Sequence, residues 1–471
     1  MSHRDSPADD RTLPQPVPQE PAARRVVIIS AAVGAGHDGA AEEIALRLRS
    51  DGFLVDRHDF LELLPARLGR LLAGVYHRLL TWAPGGYQRI YAATEHTGRP
   101  GLAVRLLFGS AQRRTLRAIP ADACAVVSTY PGASQVLGRL RLRGRLAVPA
   151  ITYLTDFSVH ALWVASGVDA HLAAHPIPAG QAYARGAAGV TVSGPLAGAR
   201  FAPSTVEQRR AARARFGLPE RSALALLVAG SWGVGPVERV AAEIEASGVA
   251  VPVVVCGRNE VLAETLRRNG LRHVYGWVDD MPALMAATDV LVQNAGGLTS
   301  LEAFASGLPV ASYRCIPGHG QTNAAALQEA GLAGWIRGHG ELVPVLTELL
   351  YGSLGQQQRD RGLELMAHRP VGGPAQAIAE AVGRGAPAPV AVGRGAPGPE
   401  AVACGAPGPV VPARRAVRTT GRRRPRVGVP VMVATVAATL AMGIGAPLAE
   451  AYGDAPGRFG AVAHFLDGDR R

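Results

Sequence analysis

The sequence predicts an α/β protein made of two doubly wound, Rossmann-like halves that face a cleft. Three observations lead there. An apolar, β-rich run, VVIISAA at 26–32, ends in a glycine loop followed by a helix-like stretch. The same strand, turn and helix pattern returns in CAVVSTYPGASQVLGRL, VPAITYLTD, VDAHLAAHP and GVTVSGP, and it then restarts at ALALLVAGSWGVGPVERVAAEI. Continuous apolar runs of this kind suit strands buried on both faces of a parallel sheet, and their alternation with helices is the signature of a doubly wound domain.

In chain order, residues 1–24 are polar and proline-rich with no apolar core of a secretory signal, so they read as a disordered leader. The first half spans 25–200. Its first helix places Ala40, Ala41, Ile44, Ala45 and Leu48 on one face, with Glu42 and Glu43 near the positive N-terminal end. The second half spans 204–370. From 371 to 426 a repeat of Ala, Val, Gly and Pro, followed by an arginine cluster, reads as a linker. Residues 427–449 are uncharged over a length that suits a transmembrane helix, with the preceding arginines as its cytoplasmic flank, and 450–471 form a tail.

Composition narrows the function. The formal charge of +12 is partly a property of the seven arginines between Arg414 and Arg426, and aromatic residues are too scattered for a base-stacking platform, so nucleic acid is not an expected partner. Cys124, Cys256, Cys315 and Cys404 lie far apart, which indicates neither a zinc site nor a disulfide framework.

The first loop, AAVGAGHDGAAEE, contains Gly34, Gly36 and Gly39 in a literal G-x-G-x-x-G, and Asp56 ends the next apolar segment where a ribose-binding acid of a dinucleotide fold would stand. A nicotinamide dinucleotide site is defensible on these residues alone. That reading leaves His37, inside the loop, without a task, although an imidazole in a cleft suits base catalysis and, on a loop, can equally be a solvated side chain. It also leaves the second half idle. There, NAGG follows a strand and precedes a helix, a seat for phosphate, and Glu302 is placed to accept hydrogen bonds from two vicinal hydroxyls unless it is a surface residue favoured by the helix dipole. A second glycine turn, GSWGVGP, also opens a helix, and RCIPGHGQTNAAAL offers His319, Gln321 and Asn323 to sugar hydroxyls.

With these residues in view the chain resembles the GT-B glycosyltransferases of the monogalactosyldiacylglycerol synthase and processive diacylglycerol glucosyltransferase family, related to the peptidoglycan N-acetylglucosaminyl transferase. GAGHDGAAEEIALRL resembles the family's glycine-glycine-histidine loop, with His37 at the histidine. LTDFSVHALWVASGVDAHLAAHP resembles its T-D-x-x-x-H-x-x-W block, with Asp156, His160 and Trp163 in place. GSWGVGPVE, VVVCGRNEVL, AGGLTSLEAFASGLPV and IPGHGQTNAAAL follow in family order, from about Arg25 to Arg369. The first glycine run and GSWGVG are leaner than the family's usual loops.

The resemblance implies a UDP-sugar donor, an inverting transfer to a lipid hydroxyl such as that of diacylglycerol, and no essential bound metal or other cofactor. It implies an N-terminal acceptor domain and a C-terminal donor domain. His37 would be base or acceptor positioner, with Asp156 and His160 as alternatives and Gly34, Gly36 and Trp163 shaping the acceptor loop. Gly233, Gly235, Gly296, Gly297 and Thr299 would hold the diphosphate, Glu302 the ribose, Gln321 and Asn323 the sugar or phosphate, and Arg258 would line the nucleotide pocket. LPARLGRLLAGVYHRLLTWAPGGYQRIY mixes leucines and Trp82 with Arg67, Arg70, Arg78 and Arg89, which suits an interfacial helix at an anionic membrane surface and equally a core-packed amphipathic helix. The expected location is the cytoplasmic face of the cell membrane. Alternatives are a soluble acceptor, a nucleotide-sugar epimerase, and a nucleotide-sugar-binding membrane protein without catalysis.

Overall fold

The computed structural model describes residues 24–33, 35–65, 67–96, 102–367 and 373–384. In the first half, β1 (Arg25–Ser30), β2 (Leu54–Asp59), β3 (Ala123–Ser128), β4 (Ala150–Tyr153), β5 (Ala170–Ala173) and β6 (Val190–Val192) form a sheet in the order β2-β1-β3-β4-β5-β6. In the second, β7 (Leu224–Val228), β8 (Val251–Val255), β9 (Val274–Tyr275), β10 (Val290–Gln293), β11 (Val310–Tyr313) and β12 (Gly334–Ile336) follow the order β12-β11-β10-β7-β8-β9. The pairings in both are parallel.

Burial on both faces explains the continuous apolar runs. Successive side chains of a strand point to opposite faces, so Val26 and Ile28 enter one core cluster while Val27 and Ile29 enter another. Leu224 and Leu226 likewise part from Ala225 and Leu227. Each sheet has a point where the strand order reverses, between β1 and β3 and between β7 and β10. The loops leaving those strands diverge there and open a crevice, the place where doubly wound sheets bind ligands.

The expected linker starts later than composition suggests. Residues Gly373–Arg384 form a helix whose Ala375, Ile378 and Ala381, spaced three apart, are buried in the core of the first half. The Ala- and Gly-rich composition hid a narrow apolar stripe. The rest of that linker, the segment 427–449, the tail 450–471 and the leader up to residue 23 lie outside the described residues. Among the described residues no helix is long and apolar enough to cross a membrane.

Candidate active site

The two reversal points face each other across one cavity of about 990 Å³. On the first-half side, the helix Ala35–Ser50 begins inside the glycine loop and carries His37 in its first turn. Its Nδ1 lies 2.8 Å from the Thr129 carbonyl and 3.0 Å from Thr155 Oγ1. A carbonyl only accepts, so Nδ1 carries the hydrogen. Nε2 is left as the basic nitrogen, and no hydrogen bond engages it among the described residues. Burial lowers the pKa of His37, against the pull of Asp156 and the Thr129 carbonyl, which keeps the ring neutral at neutral pH. Tyr130 packs edge-on at 5.4 Å and Trp163 lies at 5.9 Å between ring centroids, so the imidazole is clamped from two sides.

Asp156 and His160 also line this cavity, with different duties. Asp156 accepts a hydrogen bond of 2.9 Å from Trp163 Nε1, and its charge acts on His37, His160 and His319. His160 is 8% exposed and both of its nitrogens are engaged. Nδ1 accepts from the Leu162 N–H, while Nε2 meets Thr94 Oγ1 and the Tyr91 carbonyl. A ring held at both ends has no free lone pair for a substrate proton, so the geometry makes His160 a tie between loop and helix.

On the second-half side, the helix Leu298–Ala305 starts directly after Gly296 and Gly297. Gly297, Leu298 and Thr299 line the cavity, so the positive end of the helix dipole lies at its wall. The Gly296 N–H is already bound by the Gln293 side chain, which fixes the turn. Glu302 lines the same wall, and burial pushes its carboxyl up to about 7, moderated by Arg200.

Other expected donor residues stand elsewhere. Gly230 and Ser231, not Gly233 and Gly235, line the cavity from the turn GSWGVGP. Gly233 at φ 61° and Gly235 at φ 106° shape that turn, packed against Asn259 and Asn294. Arg258 is exposed; its guanidinium lies 4.7 Å above the ring centroid of Trp277, and it is Trp277 that reaches the cavity. Gln321 is exposed and off the lining. Asn323 is fully buried and spent on a bridge: Oδ1 accepts from the Ser158 N–H at 2.7 Å, and Nδ2 donates to the Ala295 carbonyl at 2.9 Å. Gly34 lies outside the described residues.

Two side-chain hydrogen bonds latch the halves beside the cavity. The helix Pro84–His96 sends Tyr87 Oη to His319 Nδ1 at 3.0 Å and Tyr91 Oη to Thr322 Oγ1 at 3.2 Å. Burial lowers the pKa of His319, so the ring that shares this hydrogen bond with Tyr87 is neutral at neutral pH. Gly36 and Gly39 face the start of the Leu298–Ala305 helix, and a β-carbon at Gly39 would overlap the Leu298 side chain. The last glycine of the opening motif thus permits two domains to meet, a use no local pattern announces.

The helix Leu68–Trp82 turns its apolar side inward. Leu72, Val75, Tyr76 and Leu79 line the cavity, and Leu80 packs against Val234 and Ile316 of the other half. Arg67, Arg70 and Arg78, with Arg89 on the next helix, are exposed.

The family model described as monogalactosyldiacylglycerol (MGDG) synthase matches residues 37–193, from the candidate base through β6. The chain resembles diacylglycerol glycosyltransferases. It is 28% identical over 233 residues to the processive diacylglycerol beta-glucosyltransferase of Bacillus subtilis (strain 168), a match covering 48% of this chain and 60% of that relative. The protein of the same name from Bacillus cereus (strain G9842) is 26% identical over 361 residues, covering 69% of this chain and 85% of that one. In fold, the chain is similar to Os79 from O. sativa, solved in complex with U2F and trichothecene, with a TM-score of 0.52 at 14% identity over 76% of this chain and 99% of that one. The two parallel six-stranded sheets fit a GT-B-like architecture.

Proposed function

We propose that the chain is an inverting hexosyltransferase that moves a sugar from a UDP-sugar to the hydroxyl of a diacylglycerol-like lipid. The observation that carries this reading is the position of His37. Its ring, with Nε2 as the basic nitrogen, lines the same cavity as a helix N-terminus whose N–H groups suit a diphosphate. The similarity to the Bacillus diacylglycerol glucosyltransferases supports the choice of acceptor.

In this mechanism the acceptor oxygen gives its proton to His37 Nε2 as it bonds to the anomeric carbon, and the bond from that carbon to the diphosphate oxygen breaks. The charge gained by the departing UDP falls on the Leu298 and Thr299 N–H groups, without recourse to a bound metal. Attack from the face opposite the leaving group inverts the anomeric centre. Asp156 steadies the imidazolium that forms, and Glu302 as carboxylate accepts the ribose hydroxyls. The exposed arginines at 67, 70, 78 and 89 meet anionic headgroups at the cytoplasmic face of the membrane.

The test is incubation of the purified full chain with diacylglycerol vesicles and a panel of radiolabelled UDP-sugars. Label in the lipid extract is expected from at least one donor, with more transfer on vesicles that contain phosphatidylglycerol. UDP binding without transfer to any lipid would overturn the reading in favour of a non-catalytic binding protein.

A further inference from the structure

The cavity is divided by chemistry. Its nucleotide side is built from glycine turns and a helix start, and these use none of the surface that extends away from His37 into the first half. There Leu72, Val75 and Leu79 of the helix Leu68–Trp82 and Val104, Leu107 and Phe108 of the helix Leu102–Ala118 line the cavity, and Leu72, Val104, Leu107 and Phe108 share one apolar cluster with Phe60. On the first of these helices the three positions follow the spacing of one face.

The lobe has a built floor. Ring centroids step from His37 to Tyr130 at 5.4 Å, from Tyr130 to Phe60 at 5.5 Å, and from Phe60 to Phe108 at 5.9 Å. The three aromatic rings converge over Gly132, where a β-carbon would sit 2.7 Å from Tyr130, 3.1 Å from Phe60 and 3.2 Å from Phe108. A side chain at 132 would therefore push the floor apart. The ladder starts at the candidate base and ends between the two helices, so the lobe is continuous with the reacting centre.

We propose that this lobe takes one linear acyl chain of the lipid acceptor and that the Phe60, Phe108 and Tyr130 floor limits its length. The inference rests on the lipid-transferase reading and deepens it. A hydrocarbon chain gains from leaving water and asks for no hydrogen bonds, which these walls do not offer. Its glycerol end then lies beside His37, and the second chain stays in the bilayer below the exposed arginines.

Binding is read with a pyrene-labelled dodecanoyl glycerol, and selectivity with transfer from UDP-glucose to saturated diacylglycerols from dioctanoyl to distearoyl. Val104→Trp and Leu72→Trp, which fill the lobe from two different helices, should each weaken probe binding by about tenfold while UDP affinity stays at the wild-type value. Phe108→Ala should move the preferred acceptor toward longer chains; if that variant does not fold, the two tryptophan variants carry the test. Wild-type probe affinity in both tryptophan variants, or displacement of the probe by a flat soluble phenol but not by alkyl glycerols, would overturn the acyl site. Probe binding that weakens in these variants, together with a wild-type protein that transfers no sugar, would remove the transferase reading and leave the acyl site standing.

Discussion

The two walls of the cavity hold their polar groups in opposite ways. The first half offers one basic nitrogen, oriented by a carbonyl behind it and enclosed by Tyr130 and Trp163. The second half offers backbone N–H groups at a helix start, with Glu302 deeper in the same helix. The difference follows from the charges to be handled. A single proton needs one acceptor of matched basicity on a dry wall, whereas a diphosphate needs several dipoles set in advance. Replacements on the two walls should therefore fail differently.

The largest effect is expected at His37. His37→Ala should lower the rate of sugar transfer by about a thousandfold, the scale of a positioned general base. In the wild type, transfer should fall as pH drops through the pKa of His37, which burial holds below the ordinary histidine value, because the protonated ring has no lone pair to accept the acceptor's proton. An acid limb at or above the ordinary histidine range would contradict this assignment. Next comes the seam. Gly39→Leu should hold the halves apart at Leu298 and lower transfer by about a hundredfold, with UDP still bound, since small misplacements of reacting groups are costly.

Glu302 belongs to the donor wall and should act on affinity. Its carboxyl titrates at about 7, so the carboxylate that accepts ribose hydroxyls is gained as pH rises through that value. Wild-type affinity for UDP-glucose should strengthen across that window, and Glu302→Gln should flatten the dependence in a calorimetric titration. The smallest effect is expected at the latch. Tyr87→Phe removes the hydrogen bond to His319 and should cost about 1 kcal/mol of stability in a denaturant titration.

What was legible in the sequence was local. The strand, glycine turn and helix units stand in short stretches, so His37, Gly297, Thr299 and Glu302 could be picked out, and all four line one cavity. What was hidden depends on distant partners. Tyr87 and His319 are separated by 232 residues, and no periodicity around either announces the pair. Ser231 reaches the cavity from a turn whose glycines are more conspicuous, and Trp277 reaches it from the loop after β9, beneath the guanidinium of Arg258 from a different loop. His160 and Asn323 carry polar groups that suit a substrate, yet Thr94, the Tyr91 carbonyl and Leu162 consume the first, and Ser158 and the Ala295 carbonyl the second. The G-x-G-x-x-G matches a cofactor loop by pattern alone, and nothing in that pattern announces that Leu298 packs against its last glycine.

The central claim is that the walls divide the work, proton on one side and diphosphate on the other. The most direct measurement is a calorimetric titration of His37→Ala with UDP-glucose, run beside a transfer assay on the same preparation. Donor affinity within about twofold of wild type, with transfer lost, is the expected result. Transfer that persists, or donor affinity that falls together with it, would contradict the claim.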